Sequence, residues 1–158
     1  MCDSDPFARW DAGQTLLRRA VLERAAAANN QNPGDLDEEL EEGLVAAFER
    51  ILAEPGLCDA NRSALLALPG LGELEDAALA ADGVCDPPAL YQALLDLQVR
   101  FGMALAEPLE AVLERCRPQW LAAWPAGVGD RQLTATAWSL LVAAGDVGAR
   151  AEIGRAHV

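Results

Sequence analysis

The chain has 158 residues, and its 25 Asp and Glu against 12 Lys and Arg give a formal charge of −13. That acidity would repel nucleic-acid phosphates, no apolar run reaches the roughly 18–20 residues that span a bilayer, and no basic segment followed by an apolar run opens the sequence. About 70% of the unfolded surface is removed when a chain of this size folds, and the abundance of Ala and Leu over β-branched and aromatic residues is that of a helical protein.

The first helix is expected from Pro6 to about Ala28. Asp5 is placed to cap its free N–H groups, and Pro6 suits the first helical position because its missing N–H would be unpaired there. Phe7, Trp10, Gln14 and Leu17 fall at spacings of three and four and so share one face. Arg18, Arg19 and Arg24 lie towards the C-terminal half, where positive charge complements the helix dipole. The polar run Asn29–Gly34 then reads as a loop.

Asp35, Asp37, Glu38, Glu39, Glu41 and Glu42 crowd the start of a second helix, where negative charge is favourable. They lack the glycine and alternating oxygen ligands of a calcium loop. Leu40, Leu44, Ala47 and Ile51 form the apolar stripe behind them, widened by Phe48 and Leu52. Glu54-Pro55-Gly56 ends this helix. Asp59 is expected to cap a short one running to Leu68, and Pro69-Gly70 stops it.

A further short helix spans Gly72–Ala81 and ends near Asp82-Gly83. Asp86-Pro87-Pro88 repeats the pattern of cap and proline and opens the longest helical stretch. Its ridge is Leu90, Leu94, Leu97, Phe101 and Leu105, and Pro108 should kink or break it by removing a backbone hydrogen bond. Leu109, Val112, Leu113 and Cys116 resume the stripe before Pro118. Asp130 is expected to cap a later helix, with Leu133, Ala137, Leu140 and Leu141 inward and Trp138 flanking them. Gly145-Asp146 starts another helix.

Four patterns could carry chemistry, and none does so on its residues. Trp120 and Trp124 lie four apart, which fits core packing between helices better than a ligand platform. Gly127-Val128-Gly129-Asp130-Arg131 has neither phosphate-loop spacing nor a preceding strand, so it reads as a turn. Cys2, Cys58, Cys85 and Cys116 contain no Cys-x-x-Cys pair, which leaves a structural zinc site or redox motif unsupported and favours idle or buried thiols. Ser4, Ser63 and Ser139 have no histidine to activate them.

The wording of the first helix is more specific than its periodicity. Asp5-Pro6-Phe7-Ala8-Arg9-Trp10-Asp11-Ala12-Gly13-Gln14 resembles the segment that opens the C-terminal helical domain of bacterial aminopeptidase N (alanyl aminopeptidase), a zinc metallopeptidase family. Asp59–Gly70, Asp86–Leu94 and Gly129–Leu133, the last followed by an apolar helix and Ala144-Gly145-Asp146, resemble later segments of that domain in the same order. The resemblance covers Ser4 to about Ala149. It implies an all-α fold, an antiparallel helical array in the manner of a HEAT or armadillo superhelix, incomplete at its C-terminus. No residue-level repeat of fixed period accompanies it.

Residues 1–152 are accordingly expected to be part of that C-terminal domain. Residues 153–158, Ile-Gly-Arg-Ala-His-Val, read as a translated sequencing adapter, so His157, the chain's one histidine, is given no role. The family hydrolyses the N-terminal residue from peptides with a zinc ion held by His-Glu-x-x-His and a further Glu, and it binds the free amine through a Gly-x-Met-Glu-Asn motif. This sequence contains neither, so no catalytic, cofactor-binding or metal residue is assigned in it. The resemblance implies that zinc belongs to the parent enzyme alone. It also implies that this portion packs over the parent's catalytic domain and encloses its cavity, that peptides are the parent's substrates, and that the setting is cytoplasmic, with no nucleic acid or membrane as partner. Two other readings remain. One is a freestanding acidic helical scaffold that binds a partner protein through a groove; the other is a metal enzyme built on the carboxylates of Asp35–Glu42.

Overall fold

Proline and glycine set most of the helix ends. The computed structural model describes residues 6–30, 38–119 and 125–145, with the side chains of Pro6, Asn29, Asn30 and Asp82 left aside. These residues form α1 (Pro6–Asn30), α2 (Glu38–Ala53), α3 (Asp59–Leu66), α4 (Leu71–Asp82), α5 (Pro87–Ala104), α6 (Ala106–Cys116), a 3-10 turn at Arg117–Gln119, and α7 (Val128–Ala143). No strand occurs among the described residues, and no helix among them is long and apolar enough to cross a membrane. The all-α expectation holds. Asp5, Asp35, Asp37, Trp120, Trp124, Asp146 and residues 153–158 lie outside the described residues.

The chain divides into two units. The first takes Met1–Leu44 and Leu68–Leu97, the second Val45–Ala67 and Gln98–Val158, so α2 and α5 contribute residues to both.

In the first unit α1 packs on α4. The buried side of α1 runs through Gln14, Leu17, Val21 and Ala25 at spacings of three, four and four, joined by Ala20 and Ala27. Leu44 of α2, Leu74 and Ala78 of α4, and Leu90, Ala93 and Leu97 of α5 are also buried. Gly70 precedes α4, and its N–H donates to the Glu73 carboxylate (3.1 Å), satisfying a group the helix leaves open. Gly83 closes α4 in a left-handed conformation (φ 69°), its N–H donating to Leu79 O at 3.0 Å, a position glycine fills without steric cost. Asp86 caps α5 as expected, accepting from the Ala89 N–H at 3.1 Å, with Pro87 in the first turn.

One expectation for this unit needs correction and one is refined. The predicted face of α1 exists, and the core covers only its later part: Phe7 is 68% and Trp10 37% exposed, whereas Gln14 and Leu17 are 5% and 0%. The two rings lie against each other instead, with centroids 5.9 Å apart and planes tilted by 36°. The α1 arginines also do not serve the dipole. The helix continues to Asn30, which leaves its last turn without a basic residue, and the dipole effect falls off within one turn. Arg19 pairs with Glu23 (2.6 Å), Arg18 donates to the Thr15 hydroxyl (3.3 Å), and Arg24 reaches α2.

In the second unit α7 packs on both α3 and α6. Its core is Phe48, Leu66, Phe101, Leu105, Leu109, Val112, Leu113, Cys116, Leu133, Ala137, Leu140 and Leu141. The α6 stripe (Leu109, Val112, Leu113, Cys116) and the α7 stripe (Leu133, Ala137, Leu140, Leu141) are as expected. The α2 stripe is narrower than expected, with Leu44 and Phe48 buried but Leu40, Ala47, Ile51 and Leu52 only half-buried.

Pro108 breaks the long helix as predicted, and the break falls upstream of the ring. A proline in a helix lacks the N–H for the carbonyl four residues back and clashes with it. That carbonyl belongs to Ala104, where α5 ends; Leu105 then turns aside (φ −105°, ψ 15°), and α6 begins at Ala106. Leu105 keeps its bond to Phe101 O (2.9 Å) and accepts from Leu109 (3.0 Å), so little backbone pairing is lost.

Glycine permits two close approaches here. A Cβ on Gly129 would lie 2.9 Å from the Ala60 backbone nitrogen, and one on Gly102 would lie 2.1 Å from Leu140 O. Small residues thus let α7 sit close to α3 and α5.

Candidate functional site

A cluster of charged side chains lies where α3, α6 and α7 meet. Asp59, expected as a cap, is instead the first residue of α3. The cap position is Cys58, whose side chain makes no capping bond. The Asp59 carboxylate is taken by two arginines. Arg115 of α6 grips it with both η nitrogens, Nη1 to Oδ2 at 2.6 Å and Nη2 to Oδ1 at 2.9 Å, and Arg62, one turn along α3, donates Nη1 to Oδ1 at 2.7 Å. Arg62 uses its other nitrogens on the end of α2, donating Nε to Ile51 O (3.3 Å) and Nη2 to Glu54 O. Those carbonyls belong to the last turn of α2 and just beyond it, where helix carbonyls have no partner in the helix and carry negative partial charge. One guanidinium therefore closes α2 and anchors α3, and Asp59 balances its charge.

The electrostatics follow. The hydrogen bonds from Arg115 hold the Asp59 carboxyl below the ordinary carboxylate range; burial opposes this, and the bond from Arg62 adds to it. The same contact raises Arg115. Asp130 and the Cys116 thiol complete the cluster, their ligand atoms lying with those of Asp59 within 4.8 Å of one another. Burial pushes the Cys116 thiol up, which makes it a poor nucleophile. A carboxylate fixed as an anion by two guanidiniums is likewise poorly placed to take up a proton near neutral pH. What this node does is join helices.

Its contribution to stability has a definite pH dependence. A carboxyl whose pKa is depressed on folding stabilises above its unfolded value of about 3.9, and that stabilisation is lost as pH falls through the lower folded value. Asp59→Asn is expected to cost about 2 kcal/mol at pH 7, most of it from leaving Arg62 uncompensated, because Arg115 is half exposed and its arm is screened. Urea titrations at several pH values should show the gap between wild type and variant closing below about pH 4. A gap that stays constant down to pH 2 would mean that the charge of Asp59 is irrelevant.

A second ion pair, in the first unit, corrects the reading of the acidic run. Glu41 does not simply favour the helix start; it is buried, and Arg24 donates to it through Nε (3.1 Å to Oε1) and Nη2 (2.7 and 2.8 Å to Oε1 and Oε2). Glu38, Glu39 and Glu42 stay exposed.

The remaining sequence candidates are dispersed. Gly127–Arg131 is not a phosphate loop. Gly127 holds a left-handed conformation (φ 68°) before α7, and Asp130 sits inside the first turn rather than capping it. Arg131 donates back to Ala126 O (3.0 Å). Ser63 shares a hydrogen bond with Thr136 (2.9 Å), and Ser139 is exposed. Cys58 is exposed, Cys85 half-buried and Cys116 buried. Ellman's reagent is therefore expected to titrate Cys58 rapidly and Cys116 only on unfolding; rapid modification of Cys116 in the folded chain would contradict this packing.

Comparison with known proteins gives these helices a context. A family described as a domain of unknown function, DUF3458_C, of ARM repeats matches residues 1–158. Aminopeptidase N of Caulobacter vibrioides is 38% identical over 107 residues, 68% of this chain. The chain matches only 11% of that relative's length. With its helices and without a strand among the described residues, the chain belongs to the DUF3458_C family of ARM repeats, the helical C-terminal domain of aminopeptidase N.

Proposed function

We propose that this chain is the first part of the C-terminal helical domain of a bacterial, cytoplasmic aminopeptidase N, and that its role is architectural. The parent would remove N-terminal residues from peptides by zinc-dependent hydrolysis. This portion would pack over the catalytic domain and enclose its cavity without taking part in the chemistry. The reading is carried by the match to an aminopeptidase N of which the shared stretch is a small part. The exposed Phe7 and Trp10 support it, since an aromatic pair at the end of a core-facing stripe is an apolar surface suited to packing against more protein.

The described residues do not fit the zinc ion of that reaction. The one histidine, His157, falls outside the described residues. Asp59, in the one cluster of possible ligands found among the described residues, is held by Arg62 and Arg115. Zinc would be held elsewhere in the parent.

Sequencing the locus in both directions tests the proposal. A reading frame that continues upstream of Met1 into a His-Glu-x-x-His segment, and past Glu152 into further helical sequence, is the expected outcome. A ribosome-binding site just before Met1 and a stop after Val158 would overturn it in favour of an independent scaffold. The isolated chain, given zinc and alanine 4-nitroanilide, is expected to release no nitroaniline; turnover would refute the architectural role.

A further inference from the structure

We draw no further inference here: the strongest candidate, the Asp59–Cys116–Asp130 side-chain cluster where α3, α6 and α7 meet, belongs to the ion-pair node already described, with both Asp59 oxygens engaged by arginine and nothing among the described residues pointing to a bound ion.

Discussion

Gly102→Ala is expected to destabilise the chain by about 3–4 kcal/mol, although alanine is the better helix former by about 1 kcal/mol. The added methyl would lie 2.1 Å from the Leu140 carbonyl oxygen and 2.8 Å from both the Leu140 carbonyl carbon and Ala144 Cβ. An ordinary carbon–oxygen contact needs roughly 3.3 Å or more. Two of the three obstructing atoms are backbone of α7, so no rotamer change relieves the clash and the helices must move apart. Separation would loosen the layer around Phe101, Leu140 and Leu141, each no more than 2% exposed. Gly43 of α2 is the control, because a methyl there meets nothing within 4 Å. Gly43→Ala is expected to stabilise by about 0.5–1 kcal/mol. Urea midpoints for the two variants should therefore move in opposite directions. A Gly102→Ala midpoint equal to that of wild type would show that α5 and α7 do not approach as closely as described.

The difference between what the sequence discloses and what it hides follows the range of the interactions. Helix ends governed by a residue's own backbone were legible: Asp86 with Pro87, Gly83 after α4, and the Pro108 break whose effect falls on Ala104. The α6 stripe was legible because Leu109, Val112, Leu113 and Cys116 repeat at helical spacing and all are buried. Asp59 and Asp130 were misread because aspartate beside a helix start looks like a cap. At Asp59 two arginines claim the carboxylate and the helix begins one residue earlier, whereas α7 begins directly after the left-handed Gly127 and so takes Asp130 into its first turn. Arg62 was available as a signal, three residues after Asp59; Arg115 is 56 residues away, and Arg24 lies 17 residues before Glu41. No local rule pairs residues so separated, and an exposed arginine and a buried one look alike in a sequence. The α1 face shows the converse limit. Periodicity places Phe7 and Trp10 on one face with Gln14 and Leu17, yet whether a core reaches that far depends on what lies opposite. The family resemblance rested on the order of residues in that same segment, so its most specific residues are among those that contribute least to the core of this chain.

Phe101→Ala is expected to cost about 4 kcal/mol, within the range for deleting a buried aromatic ring. Phe101 is fully buried on α5 just before the helix breaks, and its ring meets Phe48 of α2 with centroids 4.8 Å apart and planes tilted by 53°. Tilted pairs at this distance add about 0.5–1.5 kcal/mol beyond the area they bury. The loss should be larger than at an isolated core leucine, because a larger ring is removed and Phe48 loses its aromatic partner. Phe101→Leu keeps most of the volume and is expected to cost about 1.5 kcal/mol. A double-mutant cycle with Phe48→Ala should return a coupling of about 1 kcal/mol, since neither ring can make the pair once the other is gone. Of the total stability of about 5–15 kcal/mol usual for a domain, the Phe101→Ala loss is a large share. The variant should therefore unfold at a much lower urea concentration while keeping its helical circular-dichroism signal in water. Additive losses with no coupling would mean that the two rings are buried independently, and α2 would then be held against α5 by other contacts.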